Sequence, residues 1–321
     1  MTRFVMEFER PLYDLEAKLE ELRRLDVSER PELATELEEL AADVESLRAT
    51  LYADLGPWER VQVSRHPDRP HTQDYVAALF ADVFELRGDR SGSDDPAMFA
   101  GLGSLEGRRV VVLGHRKGKT TKENIERRFG SAQPEGFRKA RRAMLLAERF
   151  GLPVVSFVDT PGAHPGIEAE ERGQAWAIAE NLATLSALRV PVVIVGIGEG
   201  GSGGALAIGF GDRLIMLENS YYSVSSPEAC ASIVFKDSSK ASQTAASLCL
   251  TAADLVGLGI ADEVVPEPAE GAHRDPGLAF ERVRDSVVSA LDDLAGRLPD
   301  DLVATRQGRL SRVGVFVDEG V

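Results

Sequence analysis

The segment Gly198-Glu199-Gly200-Gly201-Ser202-Gly203-Gly204-Ala205 constrains this chain more than any other. It follows an apolar run, Val190 to Ile197, and opens into the apolar stretch Ala205 to Ile208. The simplest reading is a strand, a glycine turn and a helix start. Glycines there let backbone approach a ligand with no Cβ in the way. They also leave amide N–H groups free at a helix N-terminus, where negative charge is favoured. Such a turn binds a phosphate or stabilises an oxyanion during a reaction. Which of the two it does decides what kind of protein this is.

At 321 residues, with an apolar fraction of 43%, the chain reads as one large or two modest globular domains. No apolar run is long enough to span a bilayer, and the start, Met1 to Glu9, has no signal core. The expectation is a cytoplasmic protein with no membrane contact. A formal charge of −15 argues against nucleic acid as a partner. The acid is uneven, however: the first sixty residues are Glu-rich and Arg116 to Arg149 is strongly basic. Two cysteines, Cys230 and Cys249, exclude a self-contained four-cysteine zinc site and are expected to be reduced and buried. The five histidines show no metal-ligand spacing, so no metal is expected on this chain.

Leu12, Leu15, Leu19 and Leu22 recur at helical spacing, with Leu25 close behind. After Pro31, Leu33, Leu37, Leu40, Val44, Leu47 and Leu51 do the same. This predicts an N-terminal helical hairpin over residues 1–56, its stripe packed on the main domain or on another subunit. A loop-rich linker follows at 57–72, then the main domain at 73–298 and a C-terminal tail at 299–321. Within the main domain, strands are expected at Arg109–Leu113, Leu152–Val158, Pro191–Val195 and Arg213–Leu217. Helices are expected at Pro134–Phe150, Glu168–Leu188 and Phe280–Leu298. Continuous apolar strands separated by helices mean an α/β sheet covered on both faces.

Three chemistries compete for the glycine turn and its neighbours. Gly114-His115-Arg116-Lys117-Gly118-Lys119-Thr120 looks like a phosphate loop, but three residues separate its glycines where four are needed. Asp159-Thr160-Pro161-Gly162 mimics a GTPase switch segment, yet no guanine-reading motif follows. A serine hydrolase is the second option. Gly200-Gly201-Ser202-Gly203-Gly204 satisfies G-x-S-x-G, with Asp262 and His273 in the right order to complete a triad. In the third reading the turn presents backbone N–H groups to an oxyanion, with no side-chain nucleophile.

The third reading gains from a resemblance. Asp159-Thr160-Pro161-Gly162-Ala163, Ala169 to Gln174, Gly198 to Ala207 and Ser226-Pro227-Glu228 fall in order, together with His66 to Pro70, Phe84 to Arg90 and Gly271 to Arg274. In this the chain resembles, nearly end to end, the carboxyltransferase α subunits of bacterial multi-subunit acetyl-CoA carboxylase. The β subunits of that family carry a four-cysteine zinc ribbon, so zinc is implied on the partner rather than here. Two departures stand out. His164 replaces the usual tyrosine, and Lys119-Thr120 replaces Arg-Asp, which is what creates the false phosphate loop.

The resemblance implies a crotonase-like spiral of ββα units assembled as α₂β₂. It implies transfer of a carboxyl group from carboxybiotin, borne by the biotin carboxyl carrier protein and charged by biotin carboxylase, to acetyl-CoA. The product, malonyl-CoA, is the first committed intermediate of fatty acid synthesis. A related acyl-CoA carboxylase, such as one acting on propionyl-CoA, would share the turn. Negative charge develops on the biotin ureido oxygen, and losing one fixed N–H donor to such a charge raises a barrier by ~2.7–4 kcal/mol. Carried over by residue, Gly203 and Gly204 supply the amides. Gly200, Gly201, Ser202, Gly162 and Ala163 shape the biotin side. The basic residues Arg116, Lys117 and Lys119 are candidates for CoA phosphates. The glycine-rich site lacks a convincing catalytic pair, and activity is expected only with a β subunit. Elsewhere Arg138, Lys139, Arg141 and Arg142 read as the wet face of a helix with Ala140, Met144 and Leu145 inward. Ser226-Pro227-Glu228 reads as a helix start.

Overall fold

A computed structural model describes residues 4–24 and 31–314. Leu25 of the hairpin stripe and residues 315–321 of the tail lie outside the described residues. Among those described, eight strands form one sheet. They are β1 (Ala81–Glu85), β2 (Met98–Leu105), β3 (Arg108–His115), β4 (Val154–Thr160), β5 (Val192–Gly201), β6 (Arg213–Leu217), β7 (Tyr221–Ser223) and β8 (Glu263–Val265). The order is β1-β2-β3-β4-β5-β6-β8, with β7 alongside the end of β5. β1 to β3 are antiparallel neighbours, and from β3 onward every pairing is parallel.

Strand side chains alternate between two apolar layers, as the pleat requires. Val111, Leu113, Val154, Val192, Ile194 and Met216 face one core with Phe137, Ala140, Met144 and Leu185 from the helices Pro134–Phe150 and Gln174–Ala187. Val110, Val112, Val155, Phe157, Val193, Val195 and Ile215 face the other with Tyr75, Val283, Val287 and Leu291. A sheet buried on both faces is what the unbroken apolar strands predict.

Differences from expectation have local causes. The helix read over Glu168–Leu188 is two helices, Ile167–Glu171 and Gln174–Ala187, because Gly173 takes a left-handed φ of +82° between them. The final long helix runs Pro276–Leu294, four residues earlier than read, capped by Asp275. On Pro134–Phe150, Leu145 points outward at 42% exposure. Lys139 is buried, with its Nζ 2.6 Å from Asp94 and 2.7 Å from the carbonyl of Asp95. Cys249 is exposed rather than buried, and Cys230 is half-buried; both thiols are free.

The stretch read as loop-rich contains the helix Pro57–Ser64, which buries Val61 and Val63. Beyond it Arg69 is buried and bidentate to Glu267, at 2.8 and 2.5 Å. The stretch read as a tail contains the helix Pro299–Leu310. Its Arg306 is buried against Asp212 and the carbonyls of Leu185, Leu188 and Val190. In the hairpin, helices Arg10–Arg23 and Pro31–Ala53 turn their stripes mainly toward each other. A smaller contact of Met6 and Leu55 with Val63 and an ion pair from Arg48 to Glu270 join them to the rest.

Candidate active site

Most of the glycine run is strand, because Glu199, Gly200 and Gly201 pair with Tyr221, Tyr222 and Ser223 of β7. The change of direction comes at Ser202, whose φ is +50°, and the short helix Ser202–Leu206 begins there. The first amides of a helix have no partner within it. Those of Gly203 and Gly204 donate to no turn, loop or side chain among the described residues.

Two segments meet here with backbone against backbone. A Cβ on Gly201 would lie 2.1 Å from the carbonyl oxygen of Pro161, and one on Gly204 would lie 2.3 Å from the amide nitrogen of Ala163. Only glycine permits that approach. Gly203 differs: a Cβ there would meet nothing closer than Ile178, at 3.6 Å. Its glycine is therefore not required by packing within the chain. Gly200 abuts the ring of Tyr222. The structure thus brings Gly162, Ala163, Gly200, Gly201, Ser202, Gly203 and Gly204 together.

Arg116, Lys117 and Lys119 do not form one basic face. Arg116 is bidentate to Glu85, at 2.8 and 3.0 Å. Lys119 is exposed and lies 2.6 Å from Asp74. Lys117 is buried, with Nζ 2.7 Å from Asp159 and 2.7 Å from Glu199. A lysine committed to two buried carboxylates is not presented to a phosphate, which corrects the expected role of Lys117.

That lysine belongs to a cluster the sequence reading missed. Asp159 is near the end of β4, Glu199 is near the end of β5, and Lys117 follows β3. These are the carboxyl ends of neighbouring parallel strands, where α/β sheets place their sites. His71 Nδ1 lies 3.1 Å from Asp159. Arg65 Nε and the Tyr221 hydroxyl donate to Glu199 at 2.7 and 2.9 Å, and Arg65 also pairs with Glu228. Burial alone would raise the pKa of Asp159 and Glu199. Lys117 foremost outweighs it, helped by the His71 hydrogen bond on Asp159 and by Arg65 on Glu199, so both stay below the usual carboxylate range. Burial opposes the charge on Lys117, yet the two carboxylates raise its pKa. The available signal was an aspartate inside the wholly buried strand Val154–Thr160, since such a charge demands a partner. His115 is fully buried, and its Nε2 lies 3.1 Å from the Gly204 carbonyl. Burial pushes its pKa down to about 4.

The hydrolase elbow is present in shape only. Asp262 accepts from the Leu214 amide and pairs with Arg309, whereas His273 stacks on His66 at 3.8 Å. Among the described residues, neither hydrogen-bonds the other or Ser202, so no triad forms. Ser226 caps its helix, accepting from the Ala229 amide at 3.2 Å. No group of His, Cys, Asp and Glu among the described residues is arranged to hold a metal ion.

A family model described as acetyl co-enzyme A carboxylase carboxyltransferase-like matches residues 5–314. The chain is 48% identical over 313 residues to the acetyl-coenzyme A carboxylase carboxyl transferase subunit alpha of a Thermus thermophilus strain, covering 98% of this chain and 99% of that one. It is 51% identical over 312 residues to the subunit of the same name from Rubrobacter xylanophilus, covering 97% of each. Its fold is similar to that of transcarboxylase 12S, solved with methylmalonyl-coenzyme A and methylmalonic acid bound. The TM-score is 0.58 at 20% identity, over 71% of this chain and 42% of that one. The fold is the crotonase-like α/β architecture of the carboxyltransferases.

Proposed function

The chain belongs to the acetyl-CoA carboxylase carboxyltransferase α-subunit family and is a carboxyl-transferring enzyme subunit; from that premise we propose that its glycine turn is the oxyanion site for biotin. The observation that carries this reading is Gly203. Packing within the chain does not require a glycine there, yet a side chain would stand beside the free amides at the head of Ser202–Leu206.

Carboxybiotin, delivered by a carrier protein, supplies the carboxyl group that becomes part of malonyl-CoA. The residues present fit it: two unpartnered amides, a partly open approach over Gly203, and a wall of Gly162 and Ala163. The Gly203 and Gly204 amides would hold the biotin ureido oxygen and suit the negative charge expected there. They donate more strongly as that charge develops, which is the condition for lowering a barrier. His115 holds the Gly204 carbonyl and so fixes the tilt of the peptide that follows. With its pKa at about 4 it stays neutral at physiological pH and adds no competing positive charge.

The site is completed by a β subunit, in an α₂β₂ assembly whose β chain carries the zinc. Apolar side chains stand exposed on the turn's own helix and on elements that pack beside it: Leu206 at 43%, Trp176 at 72% on Gln174–Ala187 and Val224 at 75% just after β7. Exposed apolar surface of this kind marks a partner interface. No helix among the described residues is long and apolar enough to cross a membrane. Its free thiols suit the reducing cytoplasm, where this reading places it.

The test is Gly203→Val, co-purified with the β chain and assayed for malonyl-CoA decarboxylation with free biotin as acceptor. Turnover should fall by about 100-fold or more while α and β still co-elute. Unchanged turnover overturns the assignment. Vigorous malonyl-CoA formation by the isolated chain overturns the two-subunit site.

A further inference from the structure

The buried cluster lies where the sheet loses its register. Val158 pairs with Gly196, but Thr160 pairs with Gly200, so β5 advances four residues while β4 advances two. The extra residues bring the side chain of Asp159 against the backbone of β5. The Glu199 amide donates to Asp159 Oδ1 at 3.1 Å, and a Cβ on Gly198 would lie 2.4 Å from that oxygen. Two carboxylates are thereby buried beside each other just before the two segments that form the site.

Lys117 answers both. Its Nζ contacts Asp159 and Glu199 at 2.7 Å each. Its own backbone is fixed, because its carbonyl accepts from Gln73 Nε2 at 2.7 Å and from Arg127 Nη1 at 2.9 Å. Its stem passes beside Gly130, which also crowds the Asp159 carbonyl. A cation anchored at the end of β3 therefore spans the ends of β4 and β5 and sets their spacing.

Building on the reading that the glycine amides hold the biotin oxygen, we propose that Lys117 is a positioning residue. It clamps the Asp159–Ala163 segment to the Glu199–Gly204 segment and so fixes where the amides point. Gly201 and Gly204 already touch Pro161 and Ala163 at backbone distance, so a shift of either segment displaces the amides directly. Misplacement by an ångström costs a site of this kind about 100-fold in rate.

Two variants of the α chain, each assembled with the β subunit, test the clamp. K117R keeps the buried charge but replaces a compact point cation with a longer planar fork, which can meet Asp159 and Glu199 together only if the ends of β4 and β5 shift from their spacing. The double variant K117M/E199Q removes one charge of each sign, so the cluster's net charge is unchanged. We expect biotin-dependent malonyl-CoA decarboxylation to fall about 10-fold in K117R and about 100-fold in the double variant. KM for malonyl-CoA should stay within about threefold, because a positioning residue acts on kcat. If Lys117 served only to neutralise charge, K117R would turn over like the wild type, and that result overturns the proposal even if the double variant fails to assemble. Gly203→Val in the same assay separates the two claims. If it is inactive while K117R is fully active, only the clamp fails. If it is itself fully active, the amide reading fails and takes the clamp with it.

Discussion

The N-terminal hairpin and the strand-end cluster are held by opposite means. In the hairpin, Leu12, Leu19, Leu40 and Val44 form a small apolar seam, and the charged side chains lie outside it. Its Arg23–Glu20 pair, at 3.0 Å, is exposed on both sides. At the strand ends the arrangement is inverted: Lys117, Asp159 and Glu199 are buried, and apolar strands carry them inward. The hairpin gains stability by removing hydrocarbon from water, a non-directional effect that tolerates small shifts. The cluster must satisfy desolvated charges, which it does only at particular distances. A fold that needs one region to be adaptable and another to be exact has used a different force for each.

The sharpest way to break the contrast is Gly204→Val. The new side chain would collide with the Gly162–Ala163 backbone, and turnover of the assembled enzyme should fall by about 1,000-fold. Steady-state decarboxylation with free biotin measures this. Next comes Arg69→Met, which leaves the buried Glu267 carboxylate without its cation. Urea denaturation should show a loss of about 3–5 kcal/mol.

A pH titration of stability follows. His115 is neutral when folded, with a pKa near 4, and binds a proton more readily when unfolded, near 6.5. Its contribution is therefore complete above pH 6.5 and is lost as pH falls from 6.5 to 4, by on the order of 3 kcal/mol. His115→Gln should flatten that part of the curve relative to the wild type. A difference of the opposite sign would mean that His115 is charged in the fold.

The hairpin should respond more mildly. Leu12→Ala should cost about 2 kcal/mol, the low end for such a truncation because the partly buried leucines around it collapse into the gap. Hydrogen exchange should place that loss within residues 10–53, with turnover unchanged. Glu20→Ala should change stability by less than about 0.5 kcal/mol, within the error of the same denaturation experiment.

Legibility followed the same division. The heptad-like leucines announced both hairpin helices, since a helix repeats its face every three to four residues. What they faced was less legible: the expectation was another domain or subunit, and the stripes instead meet mainly each other. The strands β3 to β6 were visible as apolar runs, whereas β1, β2, β7 and β8 were not read, and Pro134–Phe150 matches the expected helix at both ends. The glycine segment was legible as a turn between strand and helix, but not its extent, because strand pairing with Tyr221–Ser223 draws Glu199 to Gly201 into the sheet. Lys117 was misread as a phosphate ligand. Its charge is evident in the sequence, whereas its two carboxylates come from positions 42 and 82 residues further along the chain.

Periodicity and glycine density by themselves determined a doubly covered α/β sheet, a helical hairpin and a glycine turn between strand and helix, because these depend on neighbours in sequence. Only the tertiary structure decided which charges are buried together, which amides are left free and which glycines a packed backbone demands. Those outcomes depend on distances of 2 to 4 Å between strand ends that the chain brings together only when the sheet closes its register.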